Sequence, residues 1–394
     1  MRHHADRKMM KIFLSALVTG YLCFAPLTVF AKTHQVYVGN IGKAGIVMDL
    51  EIQKTGDVEG RYFYRKYRTD ITLEGRREKD GTLHLSEKSQ SEKNRAKLIL
   101  RMNGSNLQGE WQDVQKNKKL PVSLSPANEQ SATSNNEAAQ SGFHSNSLYD
   151  SLRMVGLILW PLKREKFQGY SIQWWEEPNS EVRMFRLLDG FPIETVLRIN
   201  RRLSQEQWRG VSAYYDCQSG GARALGADFT QTVTPKFFNP QFISVSIFTS
   251  YYCGGAHPDF GDRPLNLDVT SGEDLQLEDI LWLGNGKPSP HRNAASARTD
   301  QRYEEMVRGP WLAKTMAKLY PADVTPPDGG RKDGECDYRD SEVWQYISWH
   351  ATPKGLYIGP SFARADRACE YPEWSVLPWR IVRAHPGAKK YRLP

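Results

Sequence analysis

From Val36 to Leu124 the chain is a succession of short runs in which apolar and polar residues alternate. The runs are VYVGNI, GIVMDLEI, VEGRYFYRKY, DITLEG, TLHLSE, KLILRM and LQGEWQD. A period of two sends successive side chains to opposite faces of a strand. The pairs and triplets between runs, Gly42-Lys43, Thr55-Gly56-Asp57, Asp80-Gly81 and Asn103-Gly104, have the chemistry of hairpin turns. The pattern predicts an all-β N-terminal module, a meander of seven or eight strands over residues 32–124. Val58-Glu59-Gly60-Arg61-Tyr62 and Leu107-Gln108-Gly109-Glu110-Trp111 share a phrase that hints at an internal repeat.

Charge is concentrated here. Of a formal net charge of +8, the stretch from Lys32 to Pro126 holds 18 basic against 12 acidic residues. Such a module expects either an anionic partner, an envelope polymer or lipid head groups before nucleic acid, or simply a soluble basic surface. Within it, residues 61–68 interleave Tyr62, Tyr64 and Tyr67 with Arg61, Arg65, Lys66 and Arg68. As a binding platform, rings such as Tyr64 stack on sugars while Arg65 and Arg68 meet carboxylates or phosphates. As plain structure, Phe63 and Tyr67 face a core and the cations are solvated.

The compartment follows from the chain's start and its cysteines. Arg2, Arg7, Lys8 and Lys11 precede an uncharged apolar run from Ile12 to Phe30, and Val29-Phe30-Ala31 leads into polar sequence. That is the layout of a secretory signal over residues 1–31, cut after Ala31. Past it stand four cysteines, Cys217, Cys253, Cys336 and Cys369. An even number in an exported chain predicts disulfides, with three pairings open. A periplasmic or secreted protein without stable membrane insertion is expected.

Residues 125–147, SPANEQSATSNNEAAQSGFHSNS, hold almost nothing apolar and read as a linker. The C-terminal part, 148–394, mixes patterns. Pro192 precedes Val196, Ile199 and Leu203 at helical spacing, and Ser204 with Gln207 forms a capping-box pattern for a second helix. Strands are expected at 343–349, 355–358 and 376–382, which together predict an α+β domain.

Its centre is Gln241 to Asp268. Ile243, Val245, Ile247 and Tyr251 alternate with Ser244, Ser246 and Ser250, the pattern of a strand with one buried face. It runs into Cys253-Gly254-Gly255-Ala256-His257-Pro258, where paired glycines permit backbone angles closed to other residues. Leu265, Leu267 and Val269 follow as a second strand, closed by Ser271-Gly272. His257 is therefore placed on a connection between strands.

These residues carry a resemblance. Tyr252-Cys253-Gly254-Gly255-Ala256-His257-Pro258, with Ile199-Asn200, Phe242 to Ser246, Leu277-Glu278-Asp279 and Thr352-Pro353-Lys354-Gly355-Leu356, resembles the domain that ends lysozyme-sensing anti-sigma factors of the RsiV type and also accompanies peptidoglycan deacetylases. The resemblance spans roughly residues 192–382. It implies an extracytoplasmic binding domain with no established catalysis. Tyr252, His257 and Asp259, on and beside the glycine turn, are candidate binding residues.

A hydrolase or deacetylase would have to be built on His257, Asp259 and Asp262 with Ser219 or Ser250 as nucleophile. No G-x-S-x-G or H-E-x-x-H supports it. The structural reading of His257 is an imidazole bonding backbone groups across the two-glycine turn. Asp259, Asp262 and Asp268 miss the spacing of a calcium loop, so no metal or other cofactor is expected. The reading as a whole is a non-catalytic envelope protein that recognises peptidoglycan or a protein that attacks it, a lysozyme-like hydrolase or a delivered toxin.

Overall fold

The computed structural model describes residues 32–88, 96–113, 115–219, 227–288, 301–324 and 336–394. The expected export signal lies outside the described residues. Eight antiparallel strands come first: β1 (Thr33–Ile41), β2 (Ala44–Ile52), β3 (Asp57–Tyr64), β4 (Ile71–Arg77), β5 (Leu83–Glu87), β6 (Lys97–Asn103), β7 (Asn106–Asp113) and β8 (Lys118–Pro126). Each pairs with the next, and β1 also pairs with β8, so the meander closes into a barrel. Closure leaves no open edge. The inward positions of the alternating runs, among them Ile46, Met48, Leu50, Leu73, Leu98 and Leu124, fill the interior. The repeated glycine phrase has a local cause: a Cβ on Gly60 or Gly109 would collide with the backbone carbonyl of Asp49 or Ile99 on the neighbouring strand.

The linker reading of 125–147 needs correction. The segment forms two short helices, α1 (Glu129–Thr133) and α2 (Glu137–Gln140), capped by the side chains of Asn128 and Asn136. Small residues suffice to bury it: Ala132, Asn136 and Ala138 are inside. Helix α3 (Leu148–Met154) then fastens the barrel to the rest. Arg153, fully buried, donates to Asp70 Oδ1 at 2.8 Å and to Ser219 Oγ at 3.1 Å, and Tyr149 donates to the same Asp70 oxygen at 2.8 Å. Arg68 O accepts from the same guanidinium, whose faces lie on the Phe63 and Tyr149 rings, and these contacts offset much of the cost of burying the pair, Nε being without a partner among the described residues.

The remainder is mostly β, with one long helix. Strands β9 (Trp160–Phe167), β10 (Tyr170–Glu177) and β11 (Val182–Leu187) form one sheet. Helix α4 runs unbroken from Ile193 to Ser219. The two helices expected from the Ser204 capping pattern are therefore one. Gln207 caps nothing; its buried amide donates to Trp175 O and Val182 O, docking the helix on the sheet. Gly210 lets α4 approach the next sheet closely, since a Cβ there would meet the Gln231 side chain.

That sheet comprises β12 (Asp228–Phe238), β13 (Phe242–Tyr252), β14 (Asp259–Asp262) and β15 (Leu265–Asp268). β12 pairs along one side of β13, while β14 and β15 share its other side. A third sheet, β16 (Ser348–Thr352), β17 (Gly355–Gly359) and β18 (Val376–Pro378), covers part of it. The four cysteines pair as Cys217–Cys253 and Cys336–Cys369. The first bridge ties the end of α4 to the end of β13.

Candidate functional site

The two faces of β13 carry different chemistry. Ile243, Val245 and Ile247 pack under α4 against Ile199, Leu203 and Phe185. The seryl face, expected to meet solvent, is buried as well: Ser244 and Ser246 lie inside. The β16–β17 hairpin covers it. Ser244 donates to Asn266 Oδ1 at 2.6 Å and accepts from Ala351 N at 3.1 Å, and Asn266 donates to Trp349 O at 2.8 Å. The buried Ser244 and Asn266 side chains are thereby partnered, as burial requires.

Toward the outer half the hairpin and β12–β13 diverge around a cleft of about 640 Å³. Ser246 is at its floor, bonded to both Asp262 carboxylate oxygens at 3.0 Å. Burial raises the Asp262 carboxyl above its ordinary value, against the Ser246 bond and the Lys236 charge, which lower it. Tyr371 and Phe248 form an aromatic wall, and the Tyr371 hydroxyl accepts from Asp262 N at 2.9 Å. Thr232 and Thr234, both exposed, stand at the rim with Lys236 and Glu373.

The opposing wall is His350 and Tyr357. They face one another across the hairpin and stack with ring centroids 4.6 Å apart. His350 is 5% exposed and Tyr357 7%. Among the described residues neither His350 Nδ1 nor the Tyr357 hydroxyl has a hydrogen-bond partner, and the nearby Ser348 hydroxyl has none either. Burial, helped by the Lys236 charge, pushes the imidazole down to about 3, so it is neutral at physiological pH. Burial likewise pushes the Tyr357 phenol up, keeping its proton. With Nδ1 sealed from solvent, Nε2 is the ring nitrogen left to the cleft.

On the other face of β13 a cavity of about 670 Å³ is lined by Phe229, Phe260, Arg209, Arg263, Arg367 and the Cys217–Cys253 bridge. Its guanidinium groups are engaged. Arg209 and Arg263 both bond the buried Glu206 carboxylate, and Arg367 bonds Asp259 at 2.6 Å. Gln231 Oε1 and Arg367 Nε are the buried atoms there without a partner among the described residues.

The residues expected to form a site are dispersed. Gly254 and Gly255 do adopt positive φ, at 95° and 100°. His257 on that turn is exposed and makes no hydrogen bond among the described residues, which corrects its reading as a turn-bonding imidazole. It lies outside the cleft. Asp259 is held by Arg367, and the Tyr252 hydroxyl donates to Gly255 O at 3.1 Å. Ser219 belongs to the Arg153 network, while Ser250 is exposed near the end of β13. The platform reading also needs correction. β3 ends at Tyr64, whose ring packs against the barrel core, and residues 65–67 form a turn. Arg68 has φ 57° and donates to Arg153 O and, at 2.9 Å, to Val155 O, so it is a structural clamp. Arg65 alone of the predicted pair keeps a guanidinium without a hydrogen-bond partner among the described residues, half-buried against Gly45.

His350, Tyr357 and Lys236 were not legible as a site. One signal exists: the Thr352-Pro353-Lys354-Gly355 turn sets a register that places His350 opposite Tyr357. Among the described residues no group of three or more His, Cys, Asp or Glu is arranged to hold a metal ion, and no helix is long and apolar enough to cross a membrane. No protein-family model matches the chain, and no curated protein matches it.

Proposed function

We propose that this chain is an exported, non-catalytic binding protein of the cell envelope that recognises peptidoglycan or a protein that attacks it. The observation that carries the reading is the cleft between the β13 and β16–β17 layers, where aromatic walls and unpartnered polar groups converge. Buried polar groups without partners cost stability, and a ligand that supplies the missing bonds recovers it. The paired cysteines fit an oxidising compartment. The RsiV-like resemblance of 192–382 supplies the envelope setting and leaves a lysozyme-like hydrolase or a toxin as the alternative partner to the wall itself.

The test is co-sedimentation of the purified protein with peptidoglycan sacculi, beside a pull-down with immobilised lysozyme. Saturable binding to either supports the reading; binding to neither overturns it. Salt separates the two halves of the molecule. Attachment through the basic barrel weakens as ionic strength rises and weakens further in Arg65→Glu, whereas attachment through the cleft is indifferent to both. A hydrolase reading draws on one feature only, the presence of Ser246, Asp262 and His350 in the same cleft. Release of soluble sugar or acetate from sacculi by the wild-type protein, abolished in Ser246→Ala, would favour it.

A further inference from the structure

The cleft's chemistry narrows what can fill it. Its walls offer a neutral imidazole, a protonated phenol and two rim hydroxyls, and Asp262, its buried acid, is already bonded by Ser246. Lys236 and Glu373 balance at the mouth, and the Asp262 carboxyl beneath is held by the Ser246 hydroxyl and the Lys236 charge. A charged ligand would lose its water there without gaining a full counter-charge. A purely apolar ligand would leave His350 Nε2 and the hydroxyls of Thr232, Thr234 and Tyr371 without a ligand partner.

What fits is a neutral group that carries a donor and an acceptor side by side on a body able to lie against aromatic rings. A secondary amide has both. The Tyr371 hydroxyl, which accepts from Asp262 N and keeps its own proton to give, donates to its carbonyl, and His350 Nε2, the ring nitrogen left to the cleft, takes its N–H. A sugar ring bearing that amide adds hydroxyls that match Thr232 and Thr234, and C–H faces that match Phe248 and Tyr371. We propose that the cleft bounded by Ser246, His350, Tyr357 and Tyr371 binds an uncharged N-acetylated sugar of a glycan strand. The proposal rests on the envelope-binding reading and names the ligand for its site. A cleft of about 640 Å³ admits a short oligosaccharide segment.

The experiment is isothermal titration of the full exported chain with β-1,4-linked N-acetylglucosamine tetramer and with cellotetraose. Cellotetraose has the same backbone with hydroxyls in place of the acetamido groups, so charge is constant. Binding of the acetylated tetramer at least about tenfold tighter is expected, the factor that a lost pair of hydrogen bonds produces. His350→Phe keeps the ring stack and removes both nitrogens; it should weaken the tetramer about three- to tenfold while leaving the melting curve in place or shifting it upward. Should His350→Phe fail to fold, Thr234→Val at the exposed rim serves as the second variant, and there too loss of tetramer affinity is expected. Equal affinity for the two tetramers overturns the proposal, as does an unchanged affinity in both variants. Binding that follows a free stem peptide instead also overturns it. Each of these leaves the sedimentation result, and with it the broader reading, standing.

Discussion

Two adjacent residues of β13 frame the difference between the faces of the central sheet. Ile243 and Ser244 are both fully buried. Ile243 gains its stability from apolar packing under α4, which is indifferent to direction. Ser244 is buried only because Asn266, Ala351 and Trp349 close a polar network around it. A hydrophobic face can be closed by any complementary surface, whereas a polar face closes only where partners are placed. Where the hairpin diverges from the sheet those partners run out, and the cleft with His350 and Tyr357 is what remains. The opposite cavity has charged walls of its own, yet Glu206 and Asp259 already occupy its arginines.

Substitutions on the two faces sharpen the contrast. Ile243→Ala should destabilise most among single changes on this strand, by about 2–5 kcal/mol in urea unfolding, through lost burial and the cavity it leaves. Removing the Cys217–Cys253 bridge by paired serine substitution should cost roughly 2–5 kcal/mol, with thiol labelling of the wild-type protein finding no free cysteine among the four. A labelled cysteine without reduction would contradict the pairing.

The cleft should also announce itself in the pH dependence. The imidazole of His350 is held down at about 3, below the unfolded value near 6.5, so the unfolded chain binds the extra proton first. The stability tied to its neutral form is fully present above pH 6.5 and is lost at roughly 1.4 kcal/mol per unit as pH falls toward 3. His350→Phe should flatten that slope. An unchanged slope between pH 6 and 4 would mean the ring is not sealed from water, and would break the comparison with the inner half.

Ser244→Ala should cost about 1–3 kcal/mol, less than its neighbour, because it strands the Ala351 N–H and one Asn266 oxygen. Tyr357→Phe is the smallest effect and the most diagnostic. It deletes a hydroxyl that bonds nothing, so stability should stay level or rise by less than about 1 kcal/mol. A large loss would show that the hydroxyl has a partner in solution and that the outer half is as closed as the inner.

The limits of the sequence reading show at the same places. Chain-local features were legible: the seven alternating runs became seven of the eight strands, Gly42, Gly81 and Gly104 took the positive φ their turns require, and Gly254-Gly255 did the same. The composition of 125–147 misled, because alanines bury little area yet fit under helices packed at close range. Ser204 and Gln207 misled for a related reason. A capping box is local chemistry, and docking Gln207 on two carbonyls of another sheet outweighed it. Arg68 looked like a free cation because its partners, Arg153 O and Val155 O, lie more than eighty positions away in the chain.

The sequence by itself determined the strand order of the first module, the turns and the oxidised cysteines, since period, turn chemistry and cysteine number act over a few residues or by count alone. Tertiary structure decided that the meander closes into a barrel, that Cys217 meets Cys253, and that the seryl face of β13 is inside. It also decided which histidine matters to the cleft. His257 had the conspicuous motif and sits in solvent; His350 had an ordinary strand around it and ends up sealed beside Tyr357. Whether a polar side chain is satisfied depends on atoms brought near it from distant segments. No window of sequence around His350 contains the Lys236, Asp262 and Tyr371 that give it its chemistry.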